Sequence, residues 1–174
     1  ILDELKIIIN QHNIDSAKII GIGISMPGFV NTTLGVNDSF PDHEPIHHLK
    51  DLVEKELHIQ TIIDNDSRGV AWAEKEFGGG VNSTHTLVIN LNWGVGLGII
   101  INGEIFTGAT GFAGEFSHIP LSNTNSLCSC GKRGCLEVEA SLKSAIEQTE
   151  MAIQQGEYSI YSTLIKTVSN KNNA

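Results

Sequence analysis

The strongest constraint on this sequence is that its three cysteines fall within eight residues, at Cys128, Cys130 and Cys135. His118 lies ten positions before the first of them, which gives the pattern H-x9-C-x-C-x4-C. Three thiolates and one imidazole form one of the tetrahedral ligand sets that structural zinc prefers. Gly131 and Gly134 lie where a loop that wraps an ion needs positive φ or close backbone approach. The spacing predicts a structural zinc site in the loop 118–135.

Two alternatives to zinc are open at this point. The cysteines could be free thiols in a surface loop, or Cys128 and Cys130 could form a disulfide. A bridge across one intervening residue is strained by the geometry that a disulfide requires. The sequence therefore favours the metal.

Two acidic residues, Glu115 and Glu137, flank the proposed ligand set. A four-ligand zinc site needs neither of them, so closing the loop brings two further carboxylates near an imidazole held by the metal. Carboxylates accept hydroxyl hydrogen bonds, which a polyhydroxylated ligand offers in number. Surface carboxylates are the alternative, and spacing alone does not decide between the two.

A second polar pair, Asn65 and Asp66, comes where a strand is expected to end and a helix to start. Ligands of open α/β sheets bind outside the carboxyl ends of the strands. An Asp there can accept a proton from a hydroxyl nucleophile, and an Asn can donate to and accept from the same ligand. Helix N-capping is the alternative, and the residue types alone favour it.

The first half of the chain predicts an alternation of helices and strands, with helices at 1–12, 47–58 and 66–77 and strands at 18–25 and 59–64. Short crossovers of this kind produce a parallel sheet. Residues 31–48 are predicted to form a loop that contains His43, His47 and His48. Their spacing matches no metal motif, so the pattern does not favour a second metal site.

The second half predicts strands in close succession at 84–92, 95–101 and 104–108. Asn102-Gly103 between the last two is a strong hairpin signal. Helices are predicted at 136–155 and 158–168, followed by a frayed polar tail. The predicted pattern changes at the glycines 78–80, from alternating helices and strands to consecutive strands. This change predicts two domains, 1–79 and 80–174, the second of which contains the zinc loop.

Composition excludes several classes of function for this segment. The chain has 174 residues, 40% of them apolar, and a formal net charge of −9. Binding to duplex nucleic acid needs clustered cations, and no run of them exceeds Lys132–Arg133. No window approaches 18 uninterrupted apolar residues, and cysteines at ligand spacing suit a reducing compartment. We expect a cytoplasmic protein without a membrane segment.

Several segments together resemble one known family, the ROK family of repressors, open reading frames and sugar kinases. They are GFAGEFSHIPL and CSCGKRGCLE around the cysteines, GIGISMPGFVN at 21–31, DNDSRGVAWAE at 64–74, and WGVGLGIIINGEIFTGATGFAGE at 93–115. The resemblance covers about residues 19–142. It implies an α/β chain with part of the actin-like, ribonuclease H-like fold of sugar kinases. The chain would comprise the end of the first lobe and the start of the second.

The resemblance also implies roles for individual residues. Asp66 matches the general base that activates the sugar 6-hydroxyl, and Asn65 matches a sugar contact. Gly28 matches a glycine that lets the sugar approach the backbone. Glu115, His118 and Glu137 match residues that hold sugar hydroxyls. The zinc ligands would be His118, Cys128, Cys130 and Cys135.

The sequence departs from the kinases of the family in two phosphate-binding loops. Where they carry Gly-Thr-Gly, this chain reads Asn92-Trp93-Gly94-Val95-Gly96. Gly94 and Gly96 could still form an anion nest, or they could be strand glycines. The first phosphate loop of the family, Asp-x-Gly-Gly-Thr, does not occur here. ATP and magnesium are therefore expected only if the protein is a kinase.

Two hypotheses follow. In the first, the chain is the sugar-sensing part of a transcriptional regulator that is similar to N-acetylglucosamine or xylose repressors. DNA would then be bound only by a helix-turn-helix upstream of residue 1, and the protein would be a homodimer. In the second, the chain belongs to an ATP-dependent sugar kinase of the glucokinase or N-acetylhexosamine kinase type. Since the apolar pattern of the first helix is already under way at Ile1, the chain is expected to be a fragment.

Overall fold

The computed structural model of the protein describes residues 1–12 and 14–161. The chain divides into two compact units. The first contains Ile1–Ile89 and Leu97–Glu115, and the second contains the described residues of Asn90–Gly96 and Phe116–Ala174. The domain boundary expected at residues 78–80 stays a prediction.

The first half alternates helices and strands as the sequence predicts: α1 (Leu2–Gln11), β1 (Ile22–Met26), β2 (Val30–Asn31), β3 (Val36–Asn37), α2 (Leu49–Leu57), β4 (Thr61–Asn65) and α3 (Asp66–Phe77). A short 3-10 helix, Ser16–Lys18, precedes β1. Strands β1 and β4 are paired in parallel, with Ile22 opposite Thr61 and Met26 opposite Asn65. The parallel pairing is thus confirmed.

A small hairpin formed by β2 and β3 lies in the segment that was expected to be irregular. The two strands pair antiparallel, with Val30 opposite Asn37. The Oδ1 of Asn31 accepts from the backbone N–H of Leu34 at 3.0 Å, and Gly35 has φ +72°. Strands of two residues carry no alternation, so the hydrophobic pattern could not have indicated them.

The apolar core of the first unit lies between the parallel strands and α2. Its buried members are Met26, Val30, Leu49, Val53 and Ile63. Val53 and Ile63 are completely inaccessible to solvent. Full burial of such a side chain contributes about 1.5–3 kcal/mol, so this cluster fixes the parallel pair and the residues at its carboxyl end.

The strands of the second half are β5 (Thr86–Leu91), β6 (Val95–Ile101) and β7 (Glu104–Ile105), which lie in one sheet in that order. Strands β6 and β7 pair antiparallel. Asn102 and Gly103 both have positive φ, at 54° and 82°, as a two-residue hairpin turn of the predicted kind requires. A 3-10 helix, Glu115–His118, leads into the cysteine loop.

The prediction of one continuous helix at 136–155 is wrong. The structure has α4 (Leu136–Ala140) and α5 (Leu142–Gln154), separated by Ser141 in an extended conformation with ψ 158°. The Oγ of Ser141 accepts from the backbone N–H of Ser144 at 3.2 Å, so this residue caps α5. The helix expected at 158–168 and the polar tail lie largely outside the described residues.

None of the helices in the described ranges has both the length and the apolar character that a membrane crossing needs.

Candidate functional site

The four predicted zinc ligands converge within the second unit. The Sγ of Cys128 lies 3.4 Å from Nδ1 of His118, and the Sγ atoms of Cys130 and Cys135 lie 3.7 Å apart. All four donor atoms lie within 4.8 Å of one another. A tetrahedral zinc ion with its usual bond lengths holds a nitrogen and a sulfur ligand about 3.6 Å apart and two sulfur ligands about 3.8 Å apart. The cluster therefore has the size and the donor types of a metal site.

All three cysteines are free thiols, so the Cys128–Cys130 disulfide is not formed. Cys128 and Cys135 are buried, with 2% and 0% of their surface exposed. Burial, followed by the neighbouring Cys130 and Cys128 thiols, raises the pKa of Cys135 to about 11. Burial also opposes ionisation of Cys130. The pKa of Cys130 is nevertheless lowered overall. The causes are hydrogen bonds from the Lys132 backbone and from the other two thiols, together with the positive charge of Lys132.

The pKa of one thiol in this cluster thus lies below its ordinary value, and that of another lies above it. A divalent cation would offset the mutual repulsion of several thiolates in one small space. The chemistry of the donor set thus agrees with its geometry.

The loop geometry that brings the cysteines together depends on glycine. The backbone N–H of Gly131 donates to Cys128 O at 2.9 Å, and Cys128 N–H donates to Lys132 O at 2.8 Å. Gly134 has φ +67°, and a Cβ atom there would collide with the carbonyl oxygen of Ser122. Isolated bridges join Pro120 to Cys135 and Leu127 to Arg133. The two glycines have the left-handed φ that the sequence analysis expected.

Asn65 lies in the first unit, at the carboxyl end of β4, and caps helix α3. Its Oδ1 accepts from the backbone N–H groups of Ser67 at 2.9 Å and Arg68 at 3.3 Å. Its Nδ2 donates to Gly28 O at 3.1 Å. The alternative of a helix cap therefore holds for Asn65, and within residues 1–12 and 14–161 the second N–H of this amide has no acceptor.

Asp66 is the first residue of α3 and is half-buried. Its Oδ1 accepts from the backbone N–H of Ser67 at 2.8 Å. Among the described residues, no group donates to its other carboxylate oxygen. Asp66 thus presents one acceptor at the carboxyl edge of the parallel strands, which is where a hydroxyl nucleophile would need it.

Gly28 lies just after β1 in a position that only glycine accepts. Its φ is +109°, and a Cβ atom would collide with Oγ of Ser39 and lie 2.9 Å from Oδ1 of Asn37. The same Oγ accepts from the backbone N–H of Phe29 at 2.8 Å, while Asn37 Nδ2 donates to Pro27 O at 3.0 Å. The turn after β1 is therefore fixed by side chains from the end of β3.

Sequence reasoning missed Arg68, which is 98% buried. Its Nε donates to Asp64 Oδ1 at 2.6 Å, its Nη1 to Gly111 O at 2.9 Å and its Nη2 to Val30 O at 2.9 Å. The guanidinium holds three segments of the first unit directly beside Asn65. The i,i+4 rule for charged pairs could not have indicated it, because Asp64 lies on β4 and the rule concerns two residues of one helix.

The altered phosphate loop lies in the second unit, at the turn before β6. Trp93 is 63% exposed, so its indole does not fill a core. The Oε2 of Glu137 lies 3.8 Å from the position that a Cβ atom on Gly94 would occupy. Gly94 and Gly96 both lack the positive φ that an anion nest includes. Gly98, by contrast, packs against Ala71 with no room for a Cβ atom.

The structure thus groups the candidate residues into two sets. Gly28, Asn65 and Asp66 lie together in the first unit. The zinc ligands lie together in the second, and so do Gly94 and Glu137. Glu115, half-buried, ends the second segment of the first unit.

Together these features define an α/β protein of the sugar-kinase type, with part of the actin-like fold. The chain belongs to the ROK family, whose model matches residues 1–174. It is 38% identical over 147 residues to a glucokinase of Halalkalibacterium halodurans, covering 81% of this chain and 43% of that protein. It is 33% identical over 139 residues to a xylose repressor of Caldicellulosiruptor bescii, covering 79% of this chain and 35% of that protein.

Among solved structures, the chain is similar to a ROK family transcriptional regulator that is a homologue of the E. coli MLC protein. The TM-score is 0.75 at 30% identity, and the match covers 93% of this chain and 41% of that one. The chain therefore spans well under half the length of these relatives. Since they include a repressor, a transcriptional regulator and a kinase, similarity alone leaves both types of function open.

Proposed function

We propose that this chain is the effector-binding part of a ROK-family transcriptional regulator, which binds a hexose or an N-acetylhexosamine beside a structural zinc. The zinc would be held by His118, Cys128, Cys130 and Cys135. With four protein ligands it would have no open position for substrate chemistry. Its role would be to fix the loop and the orientation of the imidazole.

The orientation of His118 supports sugar binding next to the metal. Because Nδ1 faces the cysteines, zinc would bind there and the proton would lie on Nε2. An Nε2–H group is a donor whose direction the metal fixes. Glu137, in the same unit, would accept from a hydroxyl of that sugar. Within the first unit, Gly28, Asn65 and Glu115 are the residues that the family resemblance assigns to sugar contacts.

The loop at residues 92–96 is the feature that favours a regulator over a kinase. Gly94 and Gly96 lack the positive φ that an anion nest includes. The neighbouring Trp93 offers a bulky ring where the kinases place a hydroxyl. Gly94 and Gly96 are therefore poor phosphate ligands in this chain.

A sugar kinase of the glucokinase or N-acetylhexosamine kinase type is the second candidate. The acceptor oxygen of Asp66 favours it, because a pure sensor needs no general base. In that case Asp66 would take the proton of the sugar 6-hydroxyl. ATP and magnesium would bind with the help of segments outside this sequence.

The proposed regulator would bind DNA through a segment outside this sequence, since the chain itself is acidic. It would act as a cytoplasmic homodimer. Sugar binding would shift the balance between two conformations of the protein, one of which binds the operator.

Calorimetry on the complete protein that carries this sequence tests the proposal. We expect glucose, N-acetylglucosamine or N-acetylmannosamine to bind, with no detectable binding of ATP-magnesium. Operator binding in the presence and absence of that sugar provides the second readout. Sugar phosphorylation with micromolar to millimolar ATP affinity would overturn the regulator and establish the kinase. Absence of binding to any of the sugars would overturn both candidates.

A further inference from the structure

A second cluster of metal-ligand side chains lies in the first unit, in the turns between β3 and α2. The Nε2 of His48 lies 3.0 Å from Oδ1 of Asp42, and the Nε2 of His47 lies 3.5 Å from the same oxygen. The two imidazole rings meet edge to face, with centroids 4.5 Å apart. The donor atoms of the three residues all lie within 4.8 Å of one another.

The tautomer of His47 follows from the hydrogen bond that its Nδ1 makes. Nδ1 lies 3.0 Å from the carbonyl oxygen of Phe40. A carbonyl can only accept, so Nδ1 carries the proton, and in the neutral ring Nε2 carries the lone pair. This lone pair and a carboxylate oxygen of Asp42 then face each other without a hydrogen atom between them. A cation in that position would turn two opposed acceptors into two ligands.

The spacing fits such a cation. A divalent transition ion with bonds of about 2.0–2.1 Å separates its ligands by about 3.0–3.4 Å, depending on whether its geometry is octahedral or tetrahedral. The two distances to Oδ1 of Asp42, 3.0 Å and 3.5 Å, lie close to these values. The bond from His47 to Phe40 is also the type of hydrogen bond that orients metal-bound imidazoles in proteins.

We propose that Asp42, His47 and His48 form a second metal site, which binds a divalent transition ion such as Zn²⁺ through two imidazoles and one carboxylate. Three protein ligands leave at least one coordination position for water. Asp42 is 88% exposed, so that position is open to solvent. In donor type the site differs from the cysteine cluster, which offers three sulfur ligands.

The ion would join the middle of the segment between β3 and α2, at Asp42, to its end at His47 and His48. His48 is the residue before α2, and the carbonyl of His47 accepts from the backbone N–H of Asn37 at the end of β3. Asn37 and Ser39 are the side chains that enclose Gly28. A metal at this site would therefore hold the loop that shapes the turn after β1.

Metal stoichiometry tests the proposal on the complete protein that carries this sequence. The wild type and the variants are dialysed to equilibrium against roughly 10 µM free Zn²⁺, a concentration that fills sites of micromolar Kd. Bound zinc is then measured by elemental analysis. We expect Asp42→Asn and His48→Gln each to hold one zinc per chain less than the wild type. The reactivity of the cysteines toward a thiol reagent should be unchanged in both.

His43→Gln is the matched control, since His43 is exposed in the same loop and is not part of the cluster. It should retain the full zinc content. Asp42→Asn is decisive by itself, because a side chain 88% exposed has no packing role that could unfold the protein. Equal zinc content in the wild type and Asp42→Asn overturns the proposal, as does an equal loss in His43→Gln.

Discussion

The side-chain amide of Asn65 donates to the carbonyl of Gly28 at 3.1 Å and, through its oxygen, caps the helix that follows. One residue thus connects the carboxyl ends of the parallel strands β1 and β4 and starts α3. Capping and ligand binding were alternatives in the sequence. In the structure the cap leaves one N–H of the amide for a ligand, so the two roles are compatible.

Two substitutions of Asn65 separate its cap from its bond to Gly28. Asn65→Asp keeps the acceptor for the helix and replaces the donor with a second acceptor facing a carbonyl. We expect it to lower the free energy of unfolding by about 1–2 kcal/mol. Asn65→Ala also loses the cap, which adds about 0.5–2 kcal/mol. Urea unfolding of both variants is the measurement, and wild-type stability of Asn65→Asp would show that the bond contributes nothing.

The sequence was sufficient for the features that depend on local chemistry. The helix starting at Asp66, the hairpin at Asn102-Gly103 and the four converging zinc-type ligands each follow from residue types at short spacing. It was not sufficient for features that depend on contacts between segments distant in the sequence or on how a helix is interrupted. Ser141 interrupts the predicted helix by capping α5, and Arg68 reaches Val30 and Gly111, which are remote in sequence.

Because the guanidinium of Arg68 is buried, we expect even a substitution that keeps the positive charge to lower the stability of the protein strongly. Arg68→Lys retains the cation but cannot donate to Asp64, Gly111 and Val30 together. We expect a loss of about 2–4 kcal/mol of unfolding free energy, since carbonyls remain unpaired beside a buried charge. Arg133→Lys, in an exposed position, is the control and should change stability by less than about 0.5 kcal/mol. Equal effects of the two would refute the network.

If the cysteine cluster binds zinc, both the zinc content and the folding stability of the protein should depend on the Cys130 thiol. Cys130→Ser removes a soft ligand, so bound zinc should fall by one equivalent, with an unfolding free energy lower by about 3 kcal/mol or more. Elemental analysis and thermal unfolding measure these two effects. Ser126→Ala changes an exposed side chain of the same loop that is not part of the ligand set, and it should leave both unchanged. Full zinc content in Cys130→Ser would exclude the Cys130 thiolate as a ligand.

Asp66 distinguishes binding from catalysis. Asp66→Asn keeps the shape of the side chain and removes its capacity to accept a proton at the free oxygen. We expect sugar affinity within a few fold of the wild type, because most proposed sugar contacts come from other residues. If the protein phosphorylates sugars, that activity should disappear. Asp51→Asn, an exposed substitution on α2, controls for charge. Activity surviving in Asp66→Asn would exclude this carboxylate as the base.

The two glycines of the cysteine loop have similar backbone angles and different surroundings, which gives a final prediction. Gly131 has φ +85° with no atom within 4 Å of a Cβ position, whereas Gly134 has φ +67° with the Ser122 carbonyl in that space. Gly131→Ala should therefore incur only the cost of left-handed backbone, about 1–2 kcal/mol, and should keep its zinc. Gly134→Ala must also displace this carbonyl, and Gly134 directly precedes Cys135 in the sequence. We therefore expect a larger loss of stability and weaker zinc retention in competition with a chelator. If the two variants release zinc equally readily, the contact between Gly134 and Ser122 does not shape the metal site.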